Sequence, residues 1–128
     1  MTEAERAHAE REALLARALD RLDEALARDV LADALVLDAT IQRFEFCVEL
    51  CWRALKAALR VQGIEANSPR AAFRAAYQQG WIGDEALWLA MVEDRNLTSH
   101  TYRREVALDI LARIPRYRDA MRAIVPAP

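Results

Sequence analysis

From Ala34 to Ala58 an apolar residue returns every third or fourth position, through Leu37, Ile41, Phe44, Val48, Cys51 and Leu55. A register of threes and fours held this long describes one α-helix presenting a continuous stripe, and it excludes strand alternation over the same span. The spacing predicts a helix over residues 31–62, with Gly63 supplying the stop. Phe46, Leu50, Trp52 and Val61 lie outside the stripe, so the apolar arc is wider than a single neighbour covers. Either this helix is central to a bundle, or it also builds a dimer interface.

The rest of the chain offers nothing but further helices to pack against it. Only three glycines and four prolines interrupt 128 residues, and no stretch alternates β-branched with polar side chains. A first helix from Thr2 or Glu3 to Arg28 opens on acids suited to the helix dipole and carries Leu15, Leu19, Leu22 and Leu26 at 4-3-4 spacing. Ser68-Pro69 reads as an N-cap and first helical position, opening a short helix that Gly80 ends, with Phe73, Ala76 and Tyr77 on its apolar face. Asp84 caps a further helix bearing Leu87, Trp88, Met91 and Val92. The last helix, 104–124, repeats Val106, Ile110, Leu111, Ile114, Tyr117, Met121 and Ile124, with a kink expected at Pro115. Trp52, Trp81 and Trp88 read as core. The expected fold is all-α: one domain over 1–128, an antiparallel four-helix up-and-down bundle with a short connecting helix and a frayed tail at 126–128.

Charge narrows the function classes. A net charge of −2 does not suit a protein that coats nucleic acid through a broad basic surface. Residues 1–33 hold 5 Arg against 9 acids, whereas residues 103–128 hold 6 Arg against 3 acids. That asymmetry marks either an anion or partner surface, or helix faces laced together by ion pairs. No apolar run reaches the ~18 residues of a membrane span, and the opening MTEAERAHAERE is not a secretory leader, so a cytoplasmic location is expected. Cys47 and Cys51 stand four apart inside a helical pattern without a third ligand, which reads as buried thiols and no metal site.

Chemistry concentrates in RNLTSHTY, residues 95–102, where Arg95, Asn96, His100 and Tyr102 fall within eight positions. On a regular helix Arg95 and His100 would point roughly 140° apart, while Asn96 and His100 would share a face. Thr98 and Ser99 favour a helix end between them, because their hydroxyls compete for backbone groups. A helix terminus and turn would then aim Arg95, His100 and Tyr102 at one groove. Arginine offers a fork for phosphate, histidine a mobile proton, and tyrosine a hydroxyl or a stacking ring. The alternative is packing, with Arg95 paired to Glu93, Asp94 or an acid of the second helix. Glu45, Glu49 and Arg53 follow one another at i+4 on that helix, with Lys56 one turn beyond Trp52. Glu49 is placed either to orient Arg95 or His100, or merely to pair along its own helix.

The pattern R95-N96-x-x-x-H100-x-Y102 resembles the Arg-x4-His-x-Tyr motif of the HEPN superfamily, and EDRNLTSHTY resembles its nucleotidyltransferase substrate-binding subgroup. The stretch DATIQRFEFCVELCWRALKAAL, residues 38–59, is similar to that subgroup's signature helix, including Phe44, Glu45, Phe46, Glu49, Leu50, Trp52 and Lys56. The resemblance implies a helical bundle that forms a homodimer, or a heterotetramer with a separate minimal nucleotidyltransferase, in a toxin–antitoxin-like pair. It implies no intrinsic cofactor, since ATP and magnesium would be used by the partner. Near the motif the subunit would bind nucleotide or accept adenylyl groups on Tyr102. It also implies an alternative, a metal-independent endoribonuclease acting on RNA through Arg95 and His100.

Phosphodiester cleavage without a metal needs a base, an acid and stabilisation of charge on phosphorus. His8 lies at the N-terminal periphery, so one chain brings a single histidine to the motif, and two-fold pairing would be needed to supply both proton-transfer roles. The leading expectation is therefore a non-catalytic subunit, with the ribonuclease second and a bare structural bundle third.

Overall fold

The computed structural model describes residues 1–125 and contains five α-helices: α1 Glu3–Leu26, α2 Ala34–Val61, α3 Pro69–Gln78, α4 Glu85–Leu97 and α5 Arg104–Ala123. A single 3-10 turn, Thr98–His100, follows α4 directly. The tail expected to fray, 126–128, lies outside the described residues.

Caps set the helix boundaries. Thr2 and Glu5 form a reciprocal capping box, each side chain accepting from the other's backbone N–H at 3.1 Å. Asp33 accepts from the Leu35 N–H at 2.9 Å, and so α2 starts at Ala34 rather than at 31. Ser68 and Asp84 cap α3 and α4 as their sequence positions predict. Gly63 and Gly80, with φ of +77° and +75°, occupy the left-handed position after α2 and α3. There the N–H groups of Ile64 and Trp81 reach back to the carbonyls of Leu59 and Ala76 and close both helix ends. α5 runs unbroken through Pro115.

α2 is the central helix, touching all four others as well as the 3-10 turn. Its Phe44, Cys47, Val48, Cys51 and Leu59 are fully buried. Leu15, Leu19 and Leu22 of α1 pack on it from one side; Ile110, Ile114, Tyr117 and Met121 of α5 meet the same core. Phe44 stacks on Tyr117 with ring centroids 5.7 Å apart, and Phe73 meets Trp88 at 5.0 Å. Burial pushes the Cys47 thiol up to about 12 and Cys51 higher still, so both remain protonated and unreactive at neutral pH.

Two expected core aromatics face outward. Trp81 is 38% exposed, because it sits just beyond the Gly80 turn on the lip of an open cleft. Tyr77, at the C-terminal end of α3, stands in solvent while Phe73 and Ala76 fill the interior. Trp52 and Trp88 are core, as predicted.

The charge asymmetry resolves into ion pairs between the two ends of the chain. Arg118 and Arg122 of α5 reach across to Asp23 of α1, and Arg122 also contacts Asp20. The basic C-terminal segment therefore answers the acidic N-terminal one within the molecule. Among the described residues no helix is long and apolar enough to cross a membrane.

Candidate functional site

The helix end predicted inside RNLTSHTY is present, and hydroxyls make it. Thr98 Oγ1 donates to the Arg95 carbonyl at 2.6 Å, Ser99 Oγ to the Asn96 carbonyl at 3.3 Å, and Thr101 Oγ1 to the Thr98 carbonyl at 2.9 Å. These bonds add side-chain donors to carbonyls of the closing turn, the Arg95 carbonyl also accepting the Thr98 N–H, and the chain turns through residues 98–103 into α5. The turn also bonds to α2: Glu45 Oε2 lies 3.2 Å from the Thr98 hydroxyl, whose single proton serves either that carboxylate or the Arg95 carbonyl.

Arg95 points back onto α2. Its Nη2 donates to Glu49 Oε2 at 2.9 Å, so its partner is the acid on α2 and neither Glu93 nor Asp94. Glu49 carries two more bonds, from Trp52 Nε1 at 3.0 Å and Arg53 Nε at 2.8 Å. Both readings of this carboxylate are therefore realised together, the pair along its own helix and the bond to Arg95. Partial burial pushes the Glu49 carboxyl up, but the bonds from Trp52 and Arg53 and the charges of Arg53 and Arg95 outweigh it and hold the group below the ordinary carboxylate range. Arg95 Nε is buried without a hydrogen-bond partner, so the guanidinium has donor capacity that the folded chain does not use.

The remaining motif residues stand outside. Asn96 and His100 are exposed, and Tyr102 is 82% exposed. The His100 and Tyr102 rings sit edge-on with centroids 6.2 Å apart. The turn thus pairs His100 with Tyr102 in solvent and sets Arg95 behind them against α2. Lys56 takes no part: its ammonium lies 5.8 Å from the Trp52 ring, which Arg53 also covers at 4.9 Å, and it lines grooves two turns along α2 from Glu49.

A second polar network was not legible in advance. Asp94, only 5% exposed, receives Arg113 Nε at 2.7 Å on Oδ2 and Nη2 at 2.8 Å on Oδ1, while the Tyr117 hydroxyl donates to Oδ2 at 2.6 Å. Burial, the bond to Asp94 and its negative charge all push the Tyr117 phenol up; the bonds to Asp94 raise Arg113 further. This fork binds the last turn of α4 to α5 immediately before Arg95. The available signal was the i, i+4 placement of Arg113 and Tyr117 on one face of α5.

Among the described residues, no three His, Cys, Asp or Glu side chains converge as a metal-ligand set. Chemically, the turn offers a cationic fork, an imidazole and a free phenol, arranged about one helix end.

The family described as "Nucleotidyltransferase substrate binding protein like" matches residues 11–126. A "Probable ribonuclease HepT" of Haemophilus influenzae is 37% identical over 90 residues, covering 66% of this chain; the chain spans 61% of that protein's length. Among solved structures, the Thermus thermophilus protein ttk003001694 superposes with a TM-score of 0.79 at 38% identity, covering 86% of this chain and 94% of its own. HI0074 of Haemophilus influenzae, described as revealing the fold of a substrate binding domain of a nucleotidyltransferase, gives 0.79 at 25% identity, with 89% and 96% covered. A structure of a toxin–antitoxin with AMP-PNP shares the fold at a TM-score of 0.75 and 19% identity, covering 98% and 97%.

Proposed function

This chain belongs to the nucleotidyltransferase substrate binding protein like family, and on that premise we propose that it is the non-catalytic helical subunit of a minimal nucleotidyltransferase, in a toxin–antitoxin-like pair. It presents the Arg95–Tyr102 turn to the partner enzyme and accepts an adenylyl group on Tyr102. The observation that carries this reading is the Tyr102 side chain itself, 82% exposed and beside the His100 ring. A tyrosine kept for packing would bury its ring, as Tyr117 does.

The Tyr102 oxygen attacks the α-phosphorus of ATP, an oxygen–phosphorus bond forms, pyrophosphate leaves, and the phenolic proton passes to a base, the role this reading gives to His100. Magnesium and the triphosphate are held by the partner. In this reading Arg95 and Asn96 supply donors for phosphate, while Glu45 bonds the turn through Thr98 and Glu49 holds the guanidinium.

Tagging the protein in its own host, purifying it gently and reading the co-purifying chain and the Tyr102 mass tests both halves. A nucleotidyltransferase with adenylylated Tyr102 is expected; an unmodified protein with no such partner defeats the proposal.

A second reading has its own support in the likeness to a probable ribonuclease. In it Arg95 and His100 of two copies cleave RNA across a homodimer cleft, one histidine as base and the other as acid. His100→Ala would then abolish cleavage with fold and dimer intact, and persistent cleavage by a clean variant removes the idea.

A further inference from the structure

The outer seam between α1 and α2 is unlike the rest of the surface. A groove of about 440 Å³ opens there, floored by Leu14, Ala18, Phe46 and Leu50. Phe46 is 51% exposed, on a helix whose other large apolar side chains are mostly core. Arg17, Arg21 and Arg43 stand around this floor. Smaller grooves continue the seam in both directions, past Arg28 at one end and past Arg11 and Lys56 at the other. Glu24 and Glu49 are the carboxylates lining the three grooves, and Glu49 is already engaged by Arg53 and Arg95. Arg17 and Arg21 have no carboxylate within 4.0 Å among the described residues, whereas Arg43 lies 4.0 Å from Glu24, and Arg118 and Arg122 are paired. A cationic strip therefore crosses a chain whose net charge is −2.

Resting on the reading above, we infer that this seam is the docking surface for the nucleotidyltransferase subunit, and that its occupant is an acidic amphipathic helix. The shape selects a helix: an open trough running along α1, ~36 Å at 1.5 Å per residue, is lined by small residues such as Ala4, Ala7, Ala18 and Ala25 that let a third backbone approach. A small ligand would be left largely in water in so open a groove. The chemistry selects acid: an apolar centre with an arginine rim matches a stripe of apolar side chains at i, i+3 and i+4, flanked by Asp and Glu. Charge also disfavours a second copy, since an isologous contact sets Arg17, Arg21 and Arg43 against the same arginines. The seam adjoins the motif through Glu49, which lines the groove on one side and holds Arg95 on the other. A helix seated there would place the partner beside the turn that carries Tyr102.

The test compares the native nucleotidyltransferase complex formed by the unaltered chain, by Arg17→Glu/Arg21→Glu and by Phe46→Ala. All three positions are exposed, and thermal melts followed by circular dichroism check the fold. Affinity should fall by about tenfold or more in each variant, and the charge-reversal loss should shrink as salt is raised. Arg17→Lys/Arg21→Lys should retain most of the binding. A complex indifferent to both the charge reversal and Phe46→Ala overturns this surface while leaving the paired-subunit reading intact. If unaltered chains form no complex, that reading fails and the inference fails with it. Two further outcomes also overturn the inference: conversion of a dimer to a monomer with partner affinity unchanged, which assigns the seam to a second copy, and selective loss of binding to a single-stranded oligouridine, which assigns it to nucleic acid.

Discussion

Asp94 and Arg95 are consecutive, yet they serve two regions built on opposite terms. The Asp94–Arg113–Tyr117 network is buried at its centre, with both carboxylate oxygens occupied and the tyrosine hydroxyl satisfied. The Arg95–Tyr102 turn leaves a buried guanidinium N–H without a partner and a phenol and an imidazole in solvent. One region commits its central carboxylate and hydroxyl to internal bonds; the other leaves a guanidinium N–H, an imidazole and a phenol without partners among the described residues. Stability and the proposed function are thereby assigned to opposite sides of a single peptide bond, and substitutions on the two sides should behave differently.

The largest stability effect is expected at Asp94. Replacing it with Ala strands the buried Tyr117 hydroxyl and frees Arg113, which can still reach water, so a loss of about 3 kcal/mol is expected from urea unfolding. A loss below about 1 kcal/mol would show that the network is no anchor and would erase the contrast. Tyr117→Phe should cost less, about 1–2 kcal/mol, because Asp94 keeps its fork to Arg113. The raised phenol adds a sign: the folded state holds the proton after the unfolded state has released it. This contribution is thus complete below the ordinary tyrosine pKa near 10 and is lost as pH rises above it. Stability of the unaltered protein should decline on that alkaline side, and Tyr117→Phe should decline less.

On the other side of the comparison, Arg95→Ala should cost under about 1 kcal/mol, since its pair with Glu49 is part-exposed. It should nevertheless abolish the turn's activity, whichever of the two proposed activities holds. Glu49→Gln supplies the matching pH experiment. The depressed carboxyl contributes stability that is present above its ordinary value of 4.5 and is lost as pH falls through the folded value. The acid-side slope of stability should therefore flatten in Glu49→Gln, by an amount kept small through solvent screening. An unchanged slope would remove Glu49 as the anchor of Arg95.

How far the two regions were legible in the sequence follows from the range of their interactions. The helix end at Thr98 was legible because its causes are local: three hydroxyls bond to carbonyls three residues back. The central place of α2 was partly legible: its wide apolar arc called for more than one neighbour, but which helices cover it is set by packing. The Asp94 network was not, because periodicity assigned Tyr117 to the apolar stripe, and nothing local shows that its hydroxyl would meet an acid 23 residues away. Trp81 and Tyr77 were misplaced for the complementary reason: composition marks a residue as apolar, but not whether a neighbour arrives to cover it.

The smallest stability effect separates the regions most sharply. Tyr102→Phe removes an oxygen that makes no hydrogen bond within the described chain, at a side chain 82% exposed, so the urea midpoint should stay within about 0.5 kcal/mol of the unaltered protein. The same substitution removes the only atom of that residue's side chain able to bond to phosphorus. In protein recovered from its host, the adenylyl mass should disappear from the peptide spanning residue 102, while partner binding through the α1–α2 seam persists. Tyr117→Phe should give the converse, a less stable protein still modified at Tyr102. Should adenylyl mass survive Tyr102→Phe, the acceptor lies elsewhere, and the open phenol would lose the role its exposure suggests.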